Sequence, residues 1–260
     1  MSGGIGILVY DGVNAMDALG PYQVLSTAGL RPMLVSVSRN QGTSQYKTEV
    51  TSNSGLKLTA HRTLSETPSL DILIVTGGAF ETAMLAQDAE VLAWIQKVDL
   101  QTYWTSSVCT GAWVLGVAGL LRGKRATANW YRARELLTHF GAVPVLDQRY
   151  VFDGKIVTGA GVTAGMDMAL AMVQKLFAAD LDDGQDFLQA VMLDLEYDPK
   201  PPIPGGSPST TDPHVLEGME MMYDMVPSYY LGLDITFAEY VASIPCPACT
   251  QVRLHRDRLR

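Results

Sequence analysis

At 260 residues, 47% of them hydrophobic and 18% charged, the chain is long enough to bury a sizeable core and has the make-up of an ordinary globule, which excludes a disordered or fibrous molecule. Its 19 basic and 27 acidic residues leave a formal charge of -8, which argues against a nucleic-acid or anionic-membrane partner, and the short basic tail RLHRDRLR does not change that. No charged segment precedes the first apolar run, no run reaches the roughly 18 residues of a membrane span, and three cysteines make no disulfide framework, so a cytoplasmic location is expected.

In chain order, IGILVY reads as a buried strand, followed by a helix from about Met16 to Ala28 and a strand near Met33 to Val37. A polar stretch from about Tyr46 to Leu58 has hairpin character. DILIVTGG is a second apolar, β-branched run closed by turn residues, as expected of a parallel strand buried on both faces. An amphipathic helix over Ala89 to Val98 leads to a strand over Thr102 to Ser107 and then to a helix over Gly111 to Leu121. In YVFDGKIVTG, Asp153-Gly154 flanked by β-branched residues signals a hairpin, and VTAGMDMALAMVQKLF gives a buried helix ending near Phe177. The alternation of strand and helix predicts an α/β class, a doubly wound, mostly parallel sheet in a flavodoxin-like sandwich.

Composition shifts after that sheet. A helix from about Gly184 to Leu195 runs into EYDPKPPIPGGSPSTTDP, an extended connector, and a final helix near His214 to Met225 carries Met219, Met221, Met222 and Met225. The methionines read either as an adaptable surface or, more simply, as packing on the domain or on a second subunit. The expected division is an α/β domain over 1–183 and a C-terminal helical extension over 184–260.

Cys109 stands where the strand over Thr102 to Ser107 turns into the next helix, with Ser107 and Gly111 small enough for strand and helix to approach closely. That is a nucleophile elbow, which lifts its side chain at the carboxyl edge of a parallel sheet. The helix amino end favours thiolate, although a free cysteine is equally well a small buried hydrophobe. His61, His139, His214 and His255 all fall away from recognisable strand ends, so a Cys-His-acid hydrolase is not supported. Asp17 is better placed, a short turn after the first strand on the same edge, though it also suits a helix N-cap. Gly77-Gly78, directly after a strand, offers backbone N–H groups there, or simply a tight turn. Cys246-Pro-Ala-Cys249 lacks the context of a redox or metal site. Gly159-Ala-Gly161 with Gly165 has the wrong spacing for a dinucleotide fingerprint and reads as a close loop and helix contact.

Taken together, YDGVNAMDALGPYQVLS, DILIVTGG, SVCTGAWVLGVAGLLRGKRAT, DGKIVTGAGVTAGMDMAL and LEYDPKPPIPGGSP resemble the ThiJ/PfpI superfamily, of class I glutamine amidotransferase-like fold, and within it the isocyanide (isonitrile) hydratases. The resemblance implies a nucleophilic Cys109, Asp17 as its acidic partner, Thr110 supplying backbone and hydroxyl contacts, and a homodimer paired through the C-terminal segment. Gly77, Gly78, Asn129, Trp130, Gly161 and Val162 are assigned to substrate binding. Asn129 departs from the histidine typical of relatives, and Ala160 from their glycine.

The expected chemistry is attack of the Cys109 thiolate on the terminal carbon of an isocyanide, with Asp17 delivering a proton and backbone N–H groups around Gly78 and Thr110 steadying charge. Hydrolysis of the resulting thioimidate gives an N-substituted formamide. No metal or cofactor is called for, and the substrate is a small molecule. The alternatives are a tailoring enzyme using the same thiol on a larger intermediate, and a non-enzymatic thiol redox sensor or ligand-binding module.

Overall fold

Two runs of consecutive branched apolar residues, IGILV and ILIV, are buried at every position, as strands covered on both faces must be. They lie side by side at the centre of the sheet. The computed structural model describes residues 4–177 and 185–246. In chain order these hold β1 (Ile5–Val9), α1 (Ala15–Thr27), β2 (Pro32–Ser36), β3 (Glu49–Thr51), β4 (Lys57–Thr59), β5 (Arg62–Thr63), β6 (Ile72–Val75), α2 (Phe80–Leu85), α3 (Ala89–Asp99), β7 (Trp104–Val108) and α4 (Gly111–Val117). There follow β8 (Arg125–Ala126), α5 (Ala133–His139), β9 (Val143–Pro144), β10 (Tyr150–Asp153), β11 (Ile156–Gly159), α6 (Ala164–Phe177), α7 (Gln185–Asp194), α8 (Pro213–Asp224), α9 (Val226–Leu231) and α10 (Phe237–Ser243).

The seven-stranded sheet runs β10-β11-β7-β6-β1-β2-β5, parallel throughout except for the edge hairpin β10–β11. From β1 the chain winds outward to β2 and β5, then returns to the other side of β1 to lay down β6, β7 and β11. The winding therefore reverses between β1 and β6, and the loops leaving the carboxyl ends of these strands diverge into a crevice there. The expected α/β sheet is the one observed. The hairpin at Asp153-Gly154 is present, with Gly154 at φ 62°, and the polar stretch after Tyr46 forms the small hairpin β3–β4.

Glycines set how closely the layers approach. A Cβ on Gly111 would lie 2.2 Å from the Val75 carbonyl oxygen, so only glycine lets α4 start against β6. A Cβ on Gly165, in the first turn of α6, would press on Val108 and Pro21 at 3.0 and 3.2 Å, so Gly165 is a packing residue, whereas Gly161 in the loop before it faces open space. Helix α4 stops at Val117 rather than Leu121, because the chain turns back through Gly119 at φ 80°.

The extension differs from expectation in two respects. Helix α8 is not the last, since α9 and α10 follow it, and Phe237 of α10 is fully buried, edge-on to Trp113 at 5.3 Å. Conversely, α8 buries none of its residues, and Met225 is 63% exposed, so the methionines do not pack on their own domain. No helix among the described residues is long and apolar enough to cross a membrane.

Candidate active site at the sheet edge

Three loops meet where the winding reverses. The first follows β1 and enters α1, the second follows β6, and the third is the turn from β7 into α4. Cys109 occupies that turn at φ 59°, a left-handed conformation rare for a residue with a Cβ and held here by its surroundings. The Cys109 N–H donates to the Gly159 carbonyl at 3.2 Å, and its own carbonyl accepts from the Asn129 N–H at 3.2 Å. The elbow is thus tied to β11 on one side and to the segment before α5 on the other.

Asp17 is not the cap of α1. Asn14 takes that role, its side chain accepting from the Met16 N–H at 3.1 Å, which leaves Asp17 in the first turn and wholly buried. Its Oδ2 accepts from the Gly77 N–H at 2.8 Å. Its Oδ1 is shut off from solvent and meets no protein donor in hydrogen-bonding geometry. Burial pushes the carboxyl up to about 7, against the opposing pull of the Gly77 N–H and the nearby Cys109 thiol. Near neutral pH both the protonated and the ionised carboxyl are therefore accessible.

The thiol departs from expectation. Burial, and next the negative charge of Asp17, push Cys109 well above the ordinary thiol range, and hydrogen bonds from the Thr110 backbone and Asn129 only partly offset this. The amino end of a seven-residue helix pulls the other way, and burial outweighs it, which favours the protonated thiol at rest. Nor is it widely open. Cys109 keeps 6% of its surface accessible, a narrow approach in place of a broad crevice.

Asn129 stands against the sulfur. Its Nδ2 donates to Cys109 Sγ at 3.4 Å while its Oδ1 accepts from the Tyr131 N–H at 3.0 Å, and the second bond fixes which end of the amide faces the thiol. The Gly77-Gly78 pair serves differently from the expected anion cradle. The Gly77 N–H is taken by Asp17, and the Gly78 N–H donates to Thr110 Oγ1 at 3.1 Å. A Cβ on Gly77 would lie 2.5 Å from Thr110 Oγ1 and 2.8 Å from Asp17 Oδ2, so glycine is what lets carboxyl and elbow close on each other.

Behind the elbow runs a chain of hydroxyls that sequence reasoning missed. Tyr10 donates to the Thr76 carbonyl at 3.1 Å, so the 2.8 Å contact between Tyr10 and Thr82 must be donated by Thr82. The 2.9 Å contact between Thr82 and Thr110 must then be donated by Thr110. The Thr110 hydroxyl proton thus points away from the sulfur, and only its backbone N–H serves Cys109. Tyr10 directly follows β1 on the site edge and could be found from that position. Thr82 has no such signal.

Of the remaining assigned residues, Trp130 is half-buried, ring-to-ring with Tyr131 and Tyr223. Gly161 has open space where a Cβ would project, and Val162 packs partly on the core. No histidine appears among the described partners of Cys109. His61 stacks on Tyr22 at 5.9 Å, and His255 lies outside the described residues. Cys246 is buried, while its companion Cys249 lies outside the described residues. No cluster of His, Cys, Asp or Glu among the described residues has the makings of a metal site.

This arrangement of sheet, elbow and neighbouring carboxyl coincides with a match to the DJ-1/PfpI family over residues 4–175. The chain belongs to the DJ-1/PfpI family. Isonitrile hydratase of Pseudomonas putida is 40% identical to it over 232 residues, 89% of this chain and 94% of that protein. A ThiJ/PfpI family protein from Pseudomonas syringae superposes with a TM-score of 0.76 at 33% identity, covering 92% of this chain and 90% of that one. The HTH-type transcriptional regulator CdhR of Pseudomonas aeruginosa is 28% identical over 132 residues, 51% of this chain but only 39% of the regulator. The DJ-1/PfpI match stops at residue 175, whereas the first two relatives are covered along about nine-tenths of this chain, so the likeness to them continues into the extension.

Proposed function

We propose that this DJ-1/PfpI protein hydrates an isocyanide, R–N≡C, to the N-substituted formamide, with Cys109 as nucleophile, Asp17 as proton carrier, and Asn129 and the Thr110 N–H holding the sulfur. The observation that carries this reading is the pairing of a buried thiol with a buried carboxyl raised to about 7 whose Oδ1 has no hydrogen-bond partner among the described residues. The full-length likeness to the P. putida isonitrile hydratase supports the substrate class.

The steps follow from where the proton rests. A thiol that stays protonated until substrate arrives needs a base at the moment of attack, and ionised Asp17 is that base. Sulfur forms a bond to the terminal carbon, the S–H proton passes to Asp17, and Asp17 returns it to that same carbon. The product is the thioimidate R–N=CH–S–Cys109. Water then adds to the carbon, losing one proton to Asp17 as the nitrogen gains one, and expulsion of the sulfur restores the thiol and releases R–NH–CHO. Asn129 Nδ2 and the Thr110 N–H stabilise the sulfur while it carries charge, as donors already aimed at it. Gly77 and Gly78 contribute by positioning Asp17 and Thr110, since their N–H groups are already engaged.

The buried thiol argues against a redox sensor, which depends on an exposed and readily ionised sulfur. We further propose that the chain works as a homodimer paired through the extension, whose methionines and tyrosines are left uncovered, and that the α/β domain ends near residue 183. The decisive assay follows a cyclohexyl or aryl isocyanide by loss of its infrared stretch and by formamide formation. Cys109→Ala and Asp17→Asn are each expected to abolish turnover. Undiminished formamide from either variant removes that residue from the scheme.

A further inference from the structure

Helix α8 leaves all its residues at least partly exposed, yet one side of its last turn reaches back to the elbow. Tyr223 packs on Trp130 at 5.2 Å between ring centroids, with the rings steeply inclined, and on Tyr131 at 5.1 Å and 30°. Trp130 and Tyr131 directly follow Asn129, the residue whose amide touches the sulfur, so Tyr223 packs on the segment that adjoins Cys109.

The next residue locks this placement. Asp224 accepts from the Tyr131 hydroxyl through one oxygen and from Arg132 Nη2 through the other at 2.8 Å. Tyr131 is fully buried, and its hydroxyl also accepts from the Ala238 N–H at 3.1 Å, which joins the clamp to α10 and its buried Phe237. Tyr223, by contrast, has no hydrogen-bond partner for its own hydroxyl among the described residues and remains half-exposed. Burial first, and then its nearness to Cys109 and Asp17, push its hydroxyl above the ordinary phenol range.

We propose that Tyr223 is a specificity-determining residue: its ring and that of Trp130 form the wall that receives the substituent on the isocyanide nitrogen. An isocyanide is linear, so with its terminal carbon at Cys109 the R group projects away from the sulfur, on this proposal toward these two rings. Two inclined aromatic faces suit a flat or cyclic hydrocarbon. A carboxylate on R would be held in a poorly solvated space that already contains Asp17. The chemical class selected is therefore a neutral, ring-bearing substituent in preference to a small alkyl or anionic one.

This inference rests on the hydration reading only for its turnover arm, and a second arm separates the two. In the first, kcat/KM for phenyl isocyanide is compared with that for methyl isocyanide in the wild type, Tyr223→Ala and Tyr223→Phe. In the second, the rate of Cys109 alkylation by N-phenylmaleimide is compared with that by N-methylmaleimide, which probes the same wall without hydration. The wild type is expected to prefer the aryl member in both pairs. Tyr223→Ala should lower that preference by about tenfold, through KM rather than kcat, and Tyr223→Phe should restore it to within about threefold. An unchanged preference in a folded Tyr223→Ala protein, judged by circular dichroism and Tm, overturns the proposal, as does an equal collapse in Tyr223→Phe. Should the wild type consume no isocyanide while the maleimide preference responds as stated, the hydration reading fails and the wall stands.

Discussion

The elbow and the extension both bring aromatic and polar side chains to the same crevice, but they hold them by opposite means. At the elbow, backbone does the work: Gly77, Gly159 and Asn129 fix Asp17 and Cys109 through main-chain hydrogen bonds, and glycines keep side-chain volume out of the way. In the extension, side chains do it. The Asp224 carboxylate, the buried ring of Phe237 and the stacking of Tyr230 on Phe80 are among the contacts that secure helices which leave Tyr229 84% and Met225 63% exposed. Changes at the elbow should therefore alter chemistry or folding outright, whereas changes in the extension should tune selectivity and association.

The comparison breaks first at the sulfur. Cys109→Ala should reduce isocyanide turnover by about a thousandfold or more with little change in Tm, since it removes the nucleophile but only one small buried atom. A retained rate, measured by infrared, would place the chemistry elsewhere.

Next comes Gly78, where a Cβ would lie 2.3 Å from the Gly12 carbonyl. Gly78→Ala should lower stability by about 2 kcal/mol or more, because backbone rather than a flexible side chain must yield. Denaturant titration reads it, and an unchanged midpoint would mean the two loops are not bound so closely.

Asp17 sharpens the contrast through pH. Its carboxyl sits near 7 in the fold against 3.8 ordinarily, so the folded protein holds this proton more tightly than the unfolded chain. The associated stability is complete below about pH 3.8 and is lost as pH rises towards 7, in all about 4 kcal/mol. Asp17→Asn, which has no proton to lose, should therefore raise Tm at pH 8 by more than at pH 5 while abolishing turnover. Equal shifts at the two pH values would show that the carboxyl titrates normally.

The smallest effect belongs to the extension. Replacing Met221 and Met225 with Ser should shift a dimer toward monomer in sedimentation while leaving the monomer's Tm within about 2 °C, since neither side chain is covered by its own domain. A large loss of Tm in an already monomeric sample would instead make these methionines part of the fold.

Much of the fold could be read in advance because its signals are local. IGILV, ILIV and the Asp153-Gly154 turn each declare themselves within a few residues, and the elbow follows from a strand, a cysteine and a glycine in succession. Asp17 was found for the same reason, two strands' loops meeting at one edge. The protonation of Cys109 was not legible. A helix amino end favours thiolate and is visible in sequence, but the desolvation that outweighs it depends on everything packed around the sulfur. Tyr223 was hidden by distance along the chain: its neighbour Asp224 pairs with Tyr131 across 93 positions.

The row of hydroxyls from Tyr10 through Thr82 to Thr110 has a kinetic corollary. Because each O–H is committed to the next oxygen and the last to a main-chain carbonyl, none of them is free to exchange with the reacting sulfur. On the proposed scheme, the hydrogen passed between Sγ and Asp17 is therefore the one in flight as the sulfur–carbon bond forms. For thioimidate formation followed in a single turnover, the solvent isotope effect in mixed light and heavy water should then fit a one-proton model.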